Sequence, residues 1–291
     1  MLTVPDRYLS RLAVRRRTPT RRRIGLRRWM HWAATVLTPL AAAQLAMALD
    51  AGVARAAPVA GPLGVDVSQP QCGRPLPTGQ AFALVGVNGG TARTTNPCLA
   101  SQLAWARRST GATVHDDVQL YVNTGNPGGP DAASWPRSGS NRYGKCHGSN
   151  STSCAYQYGW DRAQDDAMNR GISRPEGYMW WLDVEIANTW DYTDGGPARN
   201  VAVLEGMTEY FTSIGVRGVG LYSTRYQWTQ IVGDAVGSTS SLNGLSNWRP
   251  AGSGSTLEDA RANCGLTPLT PGGRVELTQF TSDYDYNHSC I

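Results

Sequence analysis

The chain lacks the residue patterns on which several common enzyme classes depend. Of its 291 residues only four are histidine and three are phenylalanine. It contains no Gly-x-Ser-x-Gly motif, no CxxC pair and no cysteine–histidine spacing typical of zinc sites. A serine esterase or peptidase is therefore poorly supported, and the sequence predicts neither a metal ion nor another cofactor. No internal repeat is present.

Net charge is also small, and it is unevenly distributed. The chain has 27 basic and 22 acidic residues, a formal charge of +5 that would suggest a nucleic-acid or membrane partner. Residues 1–56 hold eleven arginines and two acids, which leaves 16 basic and 20 acidic residues, a net −4, in the other 235. We therefore expect no nucleic-acid partner.

Residues 1–56 have the pattern of a secretory signal peptide. An arginine-rich start precedes an apolar run from Trp32 to Leu49, and Ala54-Arg55-Ala56 supplies a small-x-small cleavage pattern. The alternative is an uncleaved anchor, which needs roughly 20 apolar residues, and this run contains Pro39 and Gln44. We expect cleavage near Ala56, a linker at 57–63, and a secreted or cell-wall protein without a membrane span.

All six cysteines follow the expected cleavage site. An even number of cysteines in an exported chain predicts disulfide bonds. Their connectivity stays open from spacing alone. Closeness along the chain favours Cys146 with Cys154, and next Cys72 with Cys98 and Cys264 with Cys290.

Apolar segments alternate with segments of helical period in the remaining chain. The predicted strands, several of them continuous apolar runs, are 64–68, 82–88, 118–123, 178–186, 216–223, 244–248 and 274–281. The clearest helix has an apolar face from Val201 to Ile214, with Asn200 as N-cap and Gly215 as stop. Weaker helical stripes run over 99–106 and 156–167.

This succession of strands and helices predicts an α/β fold, a single irregular β/α (TIM-like) barrel over 64–291. The Gly- and Ser-rich segment 125–153 is a predicted insertion after a strand. The acidic pairs Asp165-Asp166 and Glu258-Asp259 are expected to face solvent on helices.

Two acidic residues near the end of one predicted strand give the sharpest indication of chemistry. Asp183 and Glu185 are two positions apart, so an extended backbone places both on one side of the strand. A carboxyl pair in a cleft tends to separate its pKa values, so that one group keeps a proton while the other stays ionised. Glycosidic bond cleavage uses such a pair. The alternative is a strand that merely runs into a polar loop.

Further acids follow two other predicted strands. Asp66 ends the first, and Asp283 and Asp285 lie just beyond the last. The carboxyl ends of barrel strands open onto one face, so these groups would meet there. The chain also has ten tryptophans and twelve tyrosines, which suit stacking on sugars. The candidates near strand ends are Trp190, Tyr222, Tyr226, Trp228, Trp248, Tyr284 and Tyr286.

The order of five short motifs resembles glycoside hydrolase family 25 muramidases. These motifs are Gly-Val-Asp-Val-Ser at 64–68, Leu-Asp-Val-Glu at 182–185, Gly-Leu-Tyr-Ser at 220–223, the strand ending at Trp248, and Gln-Phe-Thr-Ser at 279–282 followed by Asp-Tyr-Asn at 285–287. The resemblance implies an irregular β/α barrel that cleaves the β-1,4 bond between N-acetylmuramic acid and N-acetylglucosamine in peptidoglycan. We also expect the protein to be a monomer.

The resemblance also implies roles for individual residues. Glu185 would be the general acid, and Asp183 would position or stabilise the substrate acetamido group as it assists in place of an enzyme nucleophile. Asp66 and Asp285 would complete the acidic cleft. The implied substrate-binding residues are Tyr222, Trp248 and Gln279, and we take Asn88 as a further candidate for substrate binding.

Several positions depart from the family pattern. No tryptophan follows Ser68, Asn88 stands where a charged residue is usual, and Asn123-Thr124 replaces a Tyr-His-Phe type of ending. The loop after Gln279 is short, so either Asp283 or Asp285 is the counterpart of the last acid. These departures favour either a divergent enzyme with altered substrate preference or a catalytically inactive barrel that binds cell-wall glycan.

Overall fold

The computed structural model describes residues 61–291. The expected signal peptide at 1–56 and most of the expected linker lie outside the described residues. Within the described part, no helix is long and apolar enough to cross a membrane.

Eight strands form a closed barrel, which confirms the predicted β/α barrel. The described residues form ten strands, in chain order β1 (Gly64–Val67), β2 (Ala83–Gly86), β3 (Val118–Asn123), β4 (Gly139–Asn141), β5 (Gly144–Cys146), β6 (Met179–Asp183), β7 (Gly218–Tyr222), β8 (Ser246–Pro250), β9 (Arg274–Thr281) and β10 (Asp285–Ser289). Going around the barrel, the strands are β1, β10, β9, β8, β7, β6, β3 and β2. The remaining two, β4 and β5, form a separate antiparallel ribbon within the predicted insertion.

The barrel closes in an irregular way. Strand β10 runs antiparallel to both β9 and β1, whereas the other barrel pairs are parallel. Its sequence, DYNHS, is polar and short, so no strand was predicted there. In the register of β1 and β10, Asp285 lies opposite Asp66. The antiparallel strand therefore begins, rather than ends, at the face where the parallel strands end.

Side chains of β6 alternate between two apolar layers. Trp180 is fully buried against the helices and stacks on Phe211, with ring centroids 4.4 Å apart. Trp181 belongs to a second cluster with Trp248 and Leu277. Because alternate strand residues share a face, Asp183 lies on the same side as Trp181.

Between residues 61 and 291, five α-helices follow or connect the strands: α1 (Leu99–Ala106), α2 (Thr152–Asn169), α3 (Gly196–Ser213), α4 (Arg225–Val232) and α5 (Leu257–Asn263). Most of α3 is buried, and it packs closely on α2. Glycines allow this approach, because a Cβ on Gly159 would clash with the carbonyl oxygen of Val203, and one on Gly206 with that of Tyr156.

The predicted N-cap of this helix is wrong. Helix α3 begins at Gly196, four residues before Asn200, with Pro197 in its first turn. Asn200 is buried, and its amide donates to the backbone carbonyls of Asp191 and Ile231, both at 2.9 Å. Its side chain therefore joins neighbouring segments to the helix. The predicted stop is confirmed, since Gly215 follows the last turn at φ +74°.

Three disulfide bonds connect Cys72 with Cys98, Cys146 with Cys154, and Cys264 with Cys290, as chain proximity predicted. The second joins the β4–β5 ribbon to the first turn of α2. The third joins the end of α5 to the residue after β10. Disulfides thus fix both the insertion and the closing strand.

Candidate functional site

An open groove of about 590 Å³ lies at the carboxyl ends of the parallel strands. Four acidic side chains line it: Asp66 from β1, Asp183 from β6, Glu185 just after β6, and Asp285 at the start of β10. No lysine, arginine or histidine is among its lining residues. The groove therefore brings together all four acids that the sequence suggested, with no basic side chain among them.

Glu185 is partly exposed to the groove and is held by an amide from a neighbouring helix. The Gln227 Nε2 donates to Glu185 Oε1 at 3.3 Å, and Gln227 Oε1 accepts the backbone N–H of Ile186 at 2.7 Å. Trp190 Nε1 donates to the Glu185 carbonyl at 2.8 Å. Among the described residues Glu185 has no ion pair, so its carboxyl group is oriented but stays available to a ligand.

Asp183 is buried at the floor of the same groove. Its Oδ1 has no hydrogen-bond partner within residues 61–291. Burial, followed by the neighbouring carboxylates Glu185 and Asp66, raises the pKa of Asp183 well above its usual range. A buried oxygen without a partner is costly, so a ligand that hydrogen-bonds to Asp183 would recover free energy.

Asp66 lies in a hydrogen-bonded chain of neutral groups. Its Oδ2 accepts from Gln279 Nε2 at 2.9 Å and from Asn287 Nδ2 at 2.8 Å. Tyr222 in turn donates its hydroxyl to Gln279 Oε1 at 2.8 Å. Burial, together with the negative charge of Asp285, raises the pKa of Asp66 to about 8. At neutral pH Asp66 therefore carries a proton.

Asp285 has a different environment from Asp66. It is half-buried, and its Oδ1 accepts from Thr281 Oγ1 at 2.8 Å. The neighbouring Asp283 accepts from the Tyr286 hydroxyl at 2.9 Å and does not line the groove. Of the two acids that the sequence left as alternatives, Asp285 is the one in the groove.

Aromatic rings form one wall of the groove. Tyr222 packs on Trp248 with centroids 4.4 Å apart, and Tyr121 meets Trp248 edge-on at 5.8 Å. Trp248 is only 2% exposed, so it supports the two tyrosines more than it offers a face of its own. The other aromatic candidates, Trp190, Tyr226, Trp228, Tyr284 and Tyr286, do not line the groove.

Asn88 lies behind the groove and does not line it. Its Nδ2 donates to Asp166 Oδ1 at 2.8 Å, and its Oδ1 accepts the backbone N–H of Asn123 at 2.7 Å. Asp166 is fully buried, which corrects the expectation that it faces solvent. Burial raises the pKa of Asp166 to about 7, although Arg170 and Asn88 oppose the rise. Asn88 thus connects α2 to the end of β3.

Sequence reasoning missed three residues of the site: Tyr121, Gln227 and Asn287. Gln227 is the third residue of α4, after its N-cap Thr224. A Thr-x-x-Gln pattern usually predicts a capping box, and here the glutamine side chain bonds to Glu185 and Ile186 instead. In the described part of the chain, no group of histidine, cysteine and acidic side chains has the arrangement of a metal site.

No protein-family model and no curated protein matches the chain. Solved structures do match it. A muramidase from Trichobolus zukalii is 16% identical over 79% of this chain and 93% of that chain, with a TM-score of 0.46. A lysozyme from Streptomyces coelicolor is 15% identical over 79% of this chain and 92% of the lysozyme chain, with a TM-score of 0.44. A family 25 glycosyl hydrolase from Bacillus anthracis is 13% identical over 78% of this chain and 88% of the hydrolase chain, with a TM-score of 0.44. The chain is thus similar, at low identity, to muramidases and lysozymes.

Proposed function

We propose that the protein is a glycoside hydrolase of the N-acetylmuramidase type that cleaves β-1,4 bonds of peptidoglycan. The observation that carries this proposal is the convergence of Asp66, Asp183, Glu185 and Asp285 on one open groove with an aromatic wall. Carboxyl groups supply acid–base chemistry, and tyrosine faces suit sugar rings. The five sequence motifs that resemble family 25 include all four acids.

Glu185 is the general acid in this proposal. It is the accessible member of the Asp183–Glu185 pair, and the Gln227 amide orients it without neutralising it. An acid in this position protonates the glycosidic oxygen as the bond from that oxygen to the sugar C1 breaks. The bonding electrons leave with the oxygen, which takes up the proton from Glu185.

Asp183 acts on the substrate acetamido group. The acetamido carbonyl oxygen forms a bond to C1 as the glycosidic oxygen leaves, and the acetamido N–H becomes more acidic. An N–H bonded to Asp183 favours the ionised form of this buried carboxyl group. Ionised Asp183 then stabilises the positive charge that develops on the acetamido group as its oxygen bonds to C1. Water next attacks C1, passes a proton to the Glu185 carboxylate and restores the acetamido group.

Asp66 and Asp285 shape the rest of the groove in this proposal. Protonated Asp66 adds no charge at neutral pH, and it fixes Gln279 and Asn287 by accepting their amides. Gln279 in turn holds the Tyr222 hydroxyl. The aromatic wall is therefore positioned by the same hydrogen-bonded chain that begins at Asp66.

The test is the release of reducing ends from purified peptidoglycan. Wild-type protein should release them, and Glu185→Gln should reduce the rate by at least about a hundredfold, the usual contribution of a general acid. Glu176→Gln is the matched control, because Glu176 is exposed before β6 and does not line the groove. Equal rates for wild type and Glu185→Gln would contradict the role of Glu185.

The second candidate is an inactive barrel that binds cell-wall glycan. It is favoured by Asn123, which lines the groove at a position where the family pattern differs. Binding to insoluble peptidoglycan without release of reducing ends would support it. Absence of binding would contradict both functions.

We also propose that the protein is exported as a monomer after cleavage near Ala56. Three disulfide bonds support an oxidising compartment. The N-terminal sequence of protein collected outside the producing cells should begin at or near Ala57. An exported protein that still begins at Met1 would contradict cleavage.

A further inference from the structure

A second pocket of about 260 Å³ lies next to the acidic groove. Its walls come from the segments that follow β2, β3 and β6, together with Tyr158 of α2. Gly90 lines both the pocket and the groove, so the two spaces are adjacent. A water molecule occupies about 30 Å³ in the liquid, so this pocket has room for a substituent much larger than a single ion.

The pocket is lined by a basic side chain, whereas the groove is lined by acidic ones. Arg93 lines the pocket, and no aspartate or glutamate does. Arg93 is exposed and has no salt bridge within residues 61–291. Burial raises the pKa of the Tyr158 hydroxyl, and the positive charge of Arg93 is among the neighbours that oppose the rise. Arg93 and Tyr158 thus both line this pocket.

Hydrogen bonds fix the turn that carries Arg93. The backbone N–H of Thr94 donates to the Thr91 carbonyl at 3.2 Å, and the Thr94 hydroxyl donates to the same oxygen at 3.1 Å. Arg170 Nη1 donates to Thr95 Oγ1 at 2.8 Å. The backbone at Arg93 is therefore held in place, so that binding a ligand restricts only the arginine side chain.

We propose that this pocket binds a carboxylate carried by the glycan substrate, of the kind found on the peptides attached to peptidoglycan. The proposal rests on the glycosidase function above. Arginine pairs with carboxylates through two parallel N–H···O bonds. The acids of the groove repel an anionic substituent, while Arg93 attracts it, so the two spaces together orient a sugar with an attached acidic chain.

The experiment compares two forms of one substrate. Peptidoglycan is first stripped of phosphate-bearing polymers, so that carboxylates are its remaining anions. One half keeps its carboxylates, and in the other half they are converted to amides. The measurements are KM and kcat for release of reducing ends, and binding of the protein to each insoluble form by co-sedimentation.

For wild type, amidation should raise KM about fivefold and leave kcat unchanged, because an exposed ion pair contributes up to about 1 kcal/mol. Arg93→Gln should show the higher KM on both forms, without a difference between them. The control is Arg107→Gln, which removes the same charge from an exposed position at the end of α1 and should behave as wild type.

Equal KM for both forms with wild type, or an unchanged effect of amidation in Arg93→Gln, would overturn the proposal. If wild type cleaves neither form, the glycosidase function fails, and co-sedimentation still tests the pocket. Stronger binding to the free-carboxylate form that disappears in Arg93→Gln would support the carboxylate site. Equal binding to both forms by wild type would refute it.

Discussion

Replacing Asp66 with asparagine should make the stability of the protein less dependent on pH. The ordinary pKa of the group is 3.8, and in the folded protein burial and Asp285 raise it to about 8. Between these values the folded state keeps a proton that the unfolded state releases. The free energy of unfolding therefore falls as pH rises through this window.

The size of the effect follows from one proton. Between pH 5 and pH 7 the free energy of unfolding of the wild type should fall by about 3 kcal/mol because of Asp66, at 1.36 kcal/mol per pH unit. For a domain of this length, about 3 kcal/mol corresponds to about 6–12 °C in Tm. Asparagine can still accept the Gln279 and Asn287 amides, and it resembles the protonated acid. Because asparagine does not ionise, its contribution to the free energy of unfolding does not change with pH.

Thermal melting followed by circular dichroism at pH 5, 6 and 7, with disulfides intact, measures this difference. Buried Asp183 and Asp166 also have raised pKa values, so the decisive quantity is the difference in slope between wild type and Asp66→Asn. Asp194→Asn, at an exposed loop position, is the control and should keep the wild-type slope. Identical slopes for wild type and Asp66→Asn would refute the assignment of a proton to folded Asp66.

Two further changes test the support of the site and the packing behind it. Gln227→Ala should lower kcat about fivefold with little change in KM, because one hydrogen bond that orients Glu185 is lost. Gln230→Ala, exposed on the same helix, is the control, and an equal effect of both changes would contradict the role of Gln227. Gly159→Ala should lower stability by about 1–3 kcal/mol in thermal melting, since the clash with the Val203 carbonyl outweighs the helix preference of alanine. The control is Gly177→Ala, where a Cβ meets nothing within 4 Å, and its Tm should stay close to that of wild type. A Gly159→Ala protein as stable as wild type would show that α2 and α3 can move apart without a loss of stability.

Local pattern predicted the parallel part of the barrel well. Strand β3 and strand β9 have the predicted bounds, because each is rich in β-branched, aromatic and other apolar residues. The spacing of Asp183 and Glu185 predicted that both lie on one side of their strand, and both line the groove. These features depend only on neighbours in the sequence, so a single sequence contains the information for them.

Features that depend on distant partners were not predictable in this way. Strand β10 is polar, and its pairing partner β1 lies more than 200 residues earlier in the chain. Gln227 approaches Glu185 from 42 positions away. The sequence predicts that Asp166 faces solvent on a helix, but in the structure Asn88, 78 positions away, donates a hydrogen bond to it. In each case tertiary contacts decide the environment, and no local pattern reports them.

The antiparallel closing strand has a consequence for the biosynthesis of the protein. Asp66 obtains its partners Gln279 and Asn287 across 213 and 221 positions, and Asp285 itself belongs to β10. A ribosome that has made every parallel strand has still not made a complete groove. The acidic site can assemble only after β10 has left the ribosome, so a nascent or truncated chain without this strand carries Glu185 but lacks the surroundings in which we propose it to act.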